Sequence, residues 1–305
     1  MTMADKPIIS YVNPNVRIKM VWVVLMVVLS SICGCQSSNR NNQAERKFTF
    51  AVLADIQYAD KDTCGKRHYR TARQKLAECV DDLNKHNPAF VIQLGDLIDG
   101  YAHDPDKSKE DLDVILSVFN RLTMPGYHVI GNHCLTAGAQ TLRQRFDITR
   151  FYYEFKVATL ENWRFVVLDG NDAGYGVIGD EQLNWFRNTL DQAAKEGERV
   201  ICFCHFALLP AAAAHHRMNK AKPILQVMDE TNCVAAWFAG HDHAGGYAIR
   251  NGVHHVTVRG MVEAPVDNAY ALIEIGPDKI REIGFGKEPN RNLPLLIHPP
   301  VDKIE

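Results

Sequence analysis

A chain of 305 residues, 46% hydrophobic and 23% charged, with 20 Gly and 13 Pro, has the composition of a globular protein. Those values exclude a collagen-like, a low-complexity or a many-spanned membrane protein. The formal charge of −2 carries no basic field of the kind nucleic-acid binders use, so no nucleic-acid partner is expected, and an anionic ligand has to be held by a few side chains or by metal.

The first 35 residues form a unit of their own. Basic Arg17 and Lys19 precede an apolar run from Met20 to Leu29, which leads into Ser30-Ser31-Ile32-Cys33-Gly34-Cys35. A positive flank, a short apolar core and small residues before a Cys make a secretory signal. Ile32-Cys33-Gly34-Cys35 resembles a bacterial lipobox with Cys35 as the residue to be lipidated; an uncleaved N-terminal membrane anchor is the alternative. Either reading places the protein outside the cytoplasm, periplasmic or at the cell surface, and tethers it to the membrane. Residues 36–47 then serve as a polar linker. A chain starting at Cys35 holds 31 Lys and Arg against 35 Asp and Glu, a formal charge of −4. Its cysteines show no CxxC pair or zinc spacing, and Cys202 and Cys204, alternating on one strand face, are expected as buried free thiols.

From Phe48 onward strand, loop and helix repeat. Phe48 to Ala54 is an apolar strand, and Tyr69 to His86 is helical with Leu76, Val80 and Leu83 on one face. Phe90 to Leu94 is a second strand, Glu110 to Leu122 a helix, and Tyr127 to Ile130 a third strand after the breaker pair Pro125-Gly126. Phe165 to Leu168, Val200 to Cys204 and Val234 to Phe238 continue the series, with a helix capped by Asp180 running to about Lys195. Tyr247 to Arg250, Val253 to Val258 and Ala269 to Ile275 read as consecutive strands, the first two joined by the turn Asn251-Gly252. No linker interrupts residues 48–287, which form one layered α/β domain, followed by a tail over 288–305.

The chemistry sits where the strands end. Asp55-Ile56-Gln57 follows the first strand, Gly95-Asp96-Leu97-Ile98-Asp99 the second and Gly131-Asn132-His133 the third, while later strands lead to His205 and to Gly240-His241-Asp242-His243. A lone Asp or His after a strand is usually a cap or turn residue. Five such clusters in succession are different, because in α/β sheets functional sites gather at the carboxyl ends of the strands, where these side chains converge on one point.

These blocks resemble the five motifs of the calcineurin-like metallophosphoesterases. Gln57, where most members carry His, resembles the manganese-dependent ADP-ribose/CDP-alcohol diphosphatase branch, as do Gly240 to Tyr247, Gly252 to Thr257 and Gly260 to Pro265. The resemblance implies a four-layer β-sandwich flanked by helices and a dinuclear metal site. It makes Asp96 the bridging carboxylate, with Asp55, Gln57 and His243 completing one site and Asn132, His205 and His241 the other. His133 then stabilises the transition state or protonates the leaving oxygen, and Asp99 orients it or another ligand by a hydrogen bond. Two cations about 3.5–4 Å apart lower the pKa of a shared water and hold the oxygens of an in-line displacement at phosphorus. The amide oxygen of Gln57 hardens the first site, which favours Mn²⁺, with Mg²⁺ or Fe as alternatives, over Zn²⁺.

One departure from the family is Cys134, where an acidic residue commonly follows the Gly-Asn-His block; a small packed residue is the simplest reading. For the substrate, Arg67 and Arg70 are candidates to grip phosphate, against the reading of a solvated helix face. His215 and His216 lie in a polar loop that either covers the phosphates or is plain surface. Tyr58 either stacks on a base or ribose or packs in the core, and of His254-His255, one on each strand face, one is expected toward the site. The implied reaction is hydrolysis of a phosphoanhydride in a nucleoside diphosphate compound. A broader phosphodiesterase or phosphomonoesterase is the alternative within enzymes, because the metal core is shared, and a non-catalytic tethered binding protein is the alternative outside them. The sequence leaves the oligomeric state open.

Overall fold

Alternation along the strand Phe48–Leu53 (β1) sets the layering. Phe48, Phe50 and Val52 join one apolar cluster, and Ala51 and Leu53 join another, as side chains one apart on a strand must. Because both faces are apolar, the strand has to be covered on both sides. The structure, a computed structural model, describes residues 47–295. The expected leader, the linker up to residue 46 and the last ten residues of the tail lie outside the described residues. No helix among the described residues is long and apolar enough to cross a membrane.

Eleven further strands follow: β2 (Val91–Gln93), β3 (Gly126–His128), β4 (Tyr153–Phe155), β5 (Trp163–Val167), β6 (Arg199–Phe203), β7 (Val234–Ala239), β8 (Gly246–Arg250), β9 (Val253–Thr257), β10 (Ala269–Ile275), β11 (Lys279–Gly286) and β12 (Arg291–Pro294). They form two six-stranded sheets, in the orders β12-β11-β10-β1-β2-β3 and β4-β5-β6-β7-β9-β8. β1, β2 and β3 are parallel, as are β5, β6, β7 and β9. The carboxyl ends of each parallel set therefore lie along one edge.

The inner faces meet in an aromatic core in which Phe50 stacks on Phe90 at 4.8 Å and Phe90 meets Phe165 edge-on at 5.0 Å. Each such buried ring is worth about 1.5–3 kcal/mol of transfer free energy. Helices α1 (Ala72–His86), α2 (Pro105–Phe119) and α3 (Ala139–Phe146) cover the outside of the first sheet through Leu76, Leu83, Ile115, Phe119 and Leu142. Helices α4 (Asp180–Lys195) and α5 (Ala221–Thr231) cover the second through Phe186, Leu190, Ile224 and Met228. The result is the expected helix-sheet-sheet-helix sandwich. Cys202 and Cys204 are buried free thiols facing α4 and α5.

Several boundaries differ from the sequence reading. α2 begins at Pro105 rather than Glu110, because Asp104 caps it by accepting from Lys107 N at 3.0 Å and Pro occupies the first turn. The charged run that follows hides this start from hydrophobic periodicity. α1 begins at Ala72 rather than Tyr69, and Asp180 is the first residue of α4, not its cap, which is Gly179. The sheet also extends past Lys287: β12 pairs with β11, and Arg291 binds Glu282 at 2.6 Å and Glu288 at 2.9 Å. An ion cluster with one buried apolar residue, Leu293, is a weak strand signal in sequence.

Candidate active site

The strand-end turns are strained. Asp55, Gln57, Asp96 and His241 have φ of 50°, 43°, 54° and 67°, a left-handed conformation that costs a non-glycine residue about 1–2 kcal/mol. Four such residues in one place need a surrounding that dictates them. Backbone hydrogen bonds lace the first two turns together, with Asp55 N donating to Gly95 O at 3.1 Å and Gln57 N to Asp96 O at 2.8 Å.

The side chains expected as ligands converge. Asp96, His205 and His241 each present one ligand atom, all within 4.8 Å of one another. His205 Nε2 lies 3.2 Å from Asp96 Oδ2 and 3.1 Å from His241 Nδ1, while His205 Nδ1–H donates to the Leu94 carbonyl at 2.8 Å. That bond fixes the ring and leaves Nε2 for the cluster. On the other side His243 Nε2 is 3.5 Å from Asp55 Oδ1, and Gln57 Nε2 donates to Asp96 Oδ2 at 3.4 Å. Two backbone N–H groups aim the carboxylates: His133 N donates to Asp96 Oδ1 and His241 N to Asp55 Oδ2, both at 2.8 Å.

Glycine lets backbone approach this cluster most closely at two points. A Cβ at Gly131 would overlap both Asp96 Oδ1 and the Asp96 backbone nitrogen, and one at Gly95, whose φ is 103°, would overlap the His205 ring. The glycines before the ligands thus let two turns approach the site at backbone distance.

Charge and unmet acceptors then test whether cations fit. Burial opposes ionisation of Asp96, but His205, His133 and His241 outweigh it and hold the carboxyl well below the usual carboxylate range. Burial and the neighbouring His205 push His241 down to about 3, so it is a neutral imidazole ready to ligate. Burial also lowers His205, yet Asp96 beside it more than compensates and raises it to about 9; a cation would displace that proton. Asp55 Oδ1, Gln57 Oε1 and Asn132 Oδ1 are buried and accept no hydrogen bond. Three unsatisfied oxygens around an ionised carboxylate are costly unless a cation takes them. The donor set, oxygen from Asp55, Gln57, Asp96 and Asn132 and nitrogen from His205, His241 and His243, suits two divalent ions of intermediate hardness.

The neighbouring residues divide. His133 Nδ1–H donates to the backbone carbonyl of Asp99 at 2.7 Å. The Asp99 carboxylate pairs with Lys61 and lies 3.6 Å from Arg67 Nη1, so Arg67 stands at the rim beside the ligand cluster. His216 Nδ1 lies 3.4 Å from Asp242 Oδ1 and its ring is 5.0 Å from His241, with exposed His215 beside it at 4.0 Å; Asp242 also accepts from Ala213 N at 2.6 Å. The 213–217 loop therefore borders the site. Two candidates do not. Tyr58 packs in the core with residues of α1 and α2, 9% exposed. Arg70 is exposed and taken up by Asp60 and Asp62, both at 2.6 Å. Neither of the paired histidines faces the site: His254 bonds Tyr247 Oη and Pro294 O, and His255 is buried opposite Trp237, both at the start of β9. Cys134 is fully buried in the same core as Leu97 and Ile98, as a packed residue.

Three contributors escaped the sequence reading. Tyr175 Oη is 2.6 Å from His241 Nε2. Glu263 Oε1 is 3.4 Å from His243 Nδ1. Lys75, on α1 and only 2% exposed, binds the carbonyls of Met261, Glu263 and Ala264, holding the segment that carries Glu263. Burial pulls its pKa down to about 8, which keeps the ammonium charged at neutral pH. Of the three, Glu263 alone had a signal, within the Gly260 to Pro265 block.

A four-layer sandwich carrying this constellation at one edge matches a known family over residues 48–245, that of the calcineurin-like phosphoesterases. The chain belongs to this family. It is 32% identical to the manganese-dependent ADP-ribose/CDP-alcohol diphosphatase of Oryza sativa subsp. japonica, covering 80% of this chain and 92% of that protein. The protein of that name from Homo sapiens is 27% identical over 82% of this chain and 94% of its own length. Among solved structures, a dimetal phosphatase from Danio rerio superposes with a TM-score of 0.71 at 25% identity, covering 82% of this chain and 99% of that one.

Proposed function

We propose that the protein is a manganese-dependent hydrolase that cleaves the phosphoanhydride of nucleoside diphosphate compounds of the ADP-ribose and CDP-alcohol type. The observation that carries the reading is the set of three buried, unsatisfied oxygens of Asp55, Gln57 and Asn132 beside the Asp96, His205 and His241 cluster. The names of the curated relatives, similar over most of both chains, support the substrate class.

When bound, a pair of divalent cations supplies a water of lowered pKa and neutralises charge at phosphorus. Asp96, ionised and oriented by the His133 backbone N–H, would hold the cations together with His205 and His241. His133, its Nδ1 tied to Asp99 O, keeps Nε2 for the oxygen that leaves. Arg67 and Lys61, gathered by the Asp99 carboxylate, offer positive charge to the phosphate that is not attacked. His215 and His216 border the opposite side. Water adds across the anhydride, giving a nucleoside monophosphate and a phosphorylated partner.

The test is a panel of ADP-ribose, CDP-choline, bis-p-nitrophenyl phosphate and p-nitrophenyl phosphate assayed with Mn²⁺. Selective turnover of the two nucleotides is expected. Equal turnover of all four would replace this reading by a broad phosphoesterase, and none at all would support a binding protein.

The segment ending at Cys35 supports a second proposal, that the enzyme is tethered outside the cytoplasm by a lipid on that residue. Mass spectrometry of the mature N-terminus decides it: an acylated Cys35 is expected, and an unmodified Met1 would overturn it.

A further inference from the structure

We infer that Tyr175 is a positioning residue of the metal centre, whose phenolic oxygen holds His241 in its ligating orientation. The inference rests on the reading that divalent cations bind at this site. His241 turns Nδ1 toward the cluster, 3.1 Å from His205 Nε2, and Nε2 outward, 2.6 Å from Tyr175 Oη. A neutral imidazole that ligates through Nδ1 carries its proton on Nε2, and that N–H needs an acceptor to fix the tautomer and the ring plane. The other rings around His241 are Phe206 at 4.7 Å, His205 at 4.8 Å and His216 at 5.0 Å. None of them is in hydrogen-bond contact with Nε2 among the described contacts; the Tyr175 oxygen is, at 2.6 Å, and with His241 in that tautomer it is the acceptor.

The support differs in kind from that of the other two histidines. His205 leans on the backbone carbonyl of Leu94 and His243 on the Glu263 carboxylate. His241 depends on a side chain that is 46% exposed and comes from a loop. Burial therefore does not explain where the Tyr175 ring sits; an edge-on contact with Phe206 at 5.0 Å and the loop do. Gly174 and Gly176 flank it with φ of 113° and 66°. Asn219 ties the loop to the neighbouring 214–220 segment from both ends of its residue: Nδ2 donates to Tyr175 O and the backbone N to Gly176 O, each at 2.8 Å. A Cβ at Gly176 would come within 3.0 Å of Asn219 N, so the two segments pack at backbone distance. The conformation of an exposed loop is thereby linked to cation affinity at the His241 site.

The experiment titrates Mn²⁺ into the purified, metal-free full chain and follows free Mn²⁺ by its electron paramagnetic resonance signal. Tyr175→Phe keeps the ring and removes only the oxygen; it should weaken one of the Mn²⁺ binding steps about tenfold, the lower end for loss of such a partner. Asn219→Ala, which does not touch His241, should weaken the same step by a smaller factor. The thermal unfolding of both metal-free variants should match that of the parent. If Tyr175→Phe binds Mn²⁺ as tightly as the parent in every step, the inference fails while the reading of the site stands. If the parent itself binds no Mn²⁺, the reading of the site fails and this inference with it.

Discussion

Asp99 holds His133 by its backbone: the imidazole Nδ1–H donates to the Asp99 carbonyl at 2.7 Å, while the nearest carboxylate oxygen lies at 3.4 Å. The carboxylate is committed elsewhere, to Lys61 and Arg67. Replacing His133 by Ala should therefore lower kcat by about 10²–10⁴, the usual worth of a positioned acid, with metal content intact. Asp99→Asn keeps the carbonyl, so it should spare kcat and raise KM by loosening Lys61 and Arg67. Steady-state kinetics with metal analysis checks both; an Asp99→Asn variant that loses as much kcat as His133→Ala would show that the carboxylate orients the ring after all.

Arg67 and Arg70 should behave oppositely. Arg67 stands at the rim beside the ligand cluster, so Arg67→Ala should raise KM for a nucleoside diphosphate substrate about tenfold, near the 1.4 kcal/mol that one charge-assisted hydrogen bond supplies. Arg70 is held in exposed ion pairs with Asp60 and Asp62, which contribute little. Arg70→Ala should leave kcat/KM within twofold, and a loss equal to that of Arg67→Ala would restore it as a substrate contact.

Gln57 bears on the choice of metal. Its Oε1 is buried and unsatisfied, a neutral hard donor beside the nitrogen donors of three histidines. Gln57→His should raise the affinity for Zn²⁺ relative to Mn²⁺ by about tenfold or more, because a nitrogen donor favours the ion later in the affinity series. Competitive binding to the metal-free protein measures the ratio. Parent protein equally active with Zn²⁺ alone would defeat the assignment of Mn²⁺.

Away from the site, Glu282 offers a pH signature. Burial is the main cause of a pKa raised to about 8, opposed by Arg291 and reinforced by Glu288. The folded state thus binds this proton more tightly than the unfolded chain, whose Glu titrates near 4.5. Stability from the group is complete below about pH 4.5 and is lost as pH rises through 8. Glu282→Gln keeps an acceptor for Arg291 and removes the titration, so its melting temperature should fall less than the parent's between pH 5 and 8.5. Parallel melting curves across that range would refute the shift.

Much of this was legible because it is local. Alternation from Phe48 to Leu53 predicts a strand covered on both faces, Asn251-Gly252 predicts a hairpin, and the Asp, Asn and His residues after successive strands announce a metal site. Cys202 and Cys204 are read correctly as buried thiols for the same reason. The start of α2 was not legible, since a capped, charged first turn has no apolar period, and β12 was not, since an edge strand held by Arg291 and Glu282 reads as polar tail.

By itself, then, the sequence determined the type of each element it marked and the family, and it pointed to the candidate ligand residues, all from neighbours a few positions apart. Only the tertiary structure decided which polar residues meet. Tyr58 and Arg70 adjoin the first block in sequence, yet one turns into the core and the other outward to Asp60 and Asp62. Tyr175, 66 residues before His241, closes on it at 2.6 Å. Lys75 reaches Ala264 O, 189 positions away, at 2.8 Å. Such contacts come from the packing of loops across two sheets, where each turn's direction depends on backbone partners distant in the chain, and no spacing in one dimension encodes them.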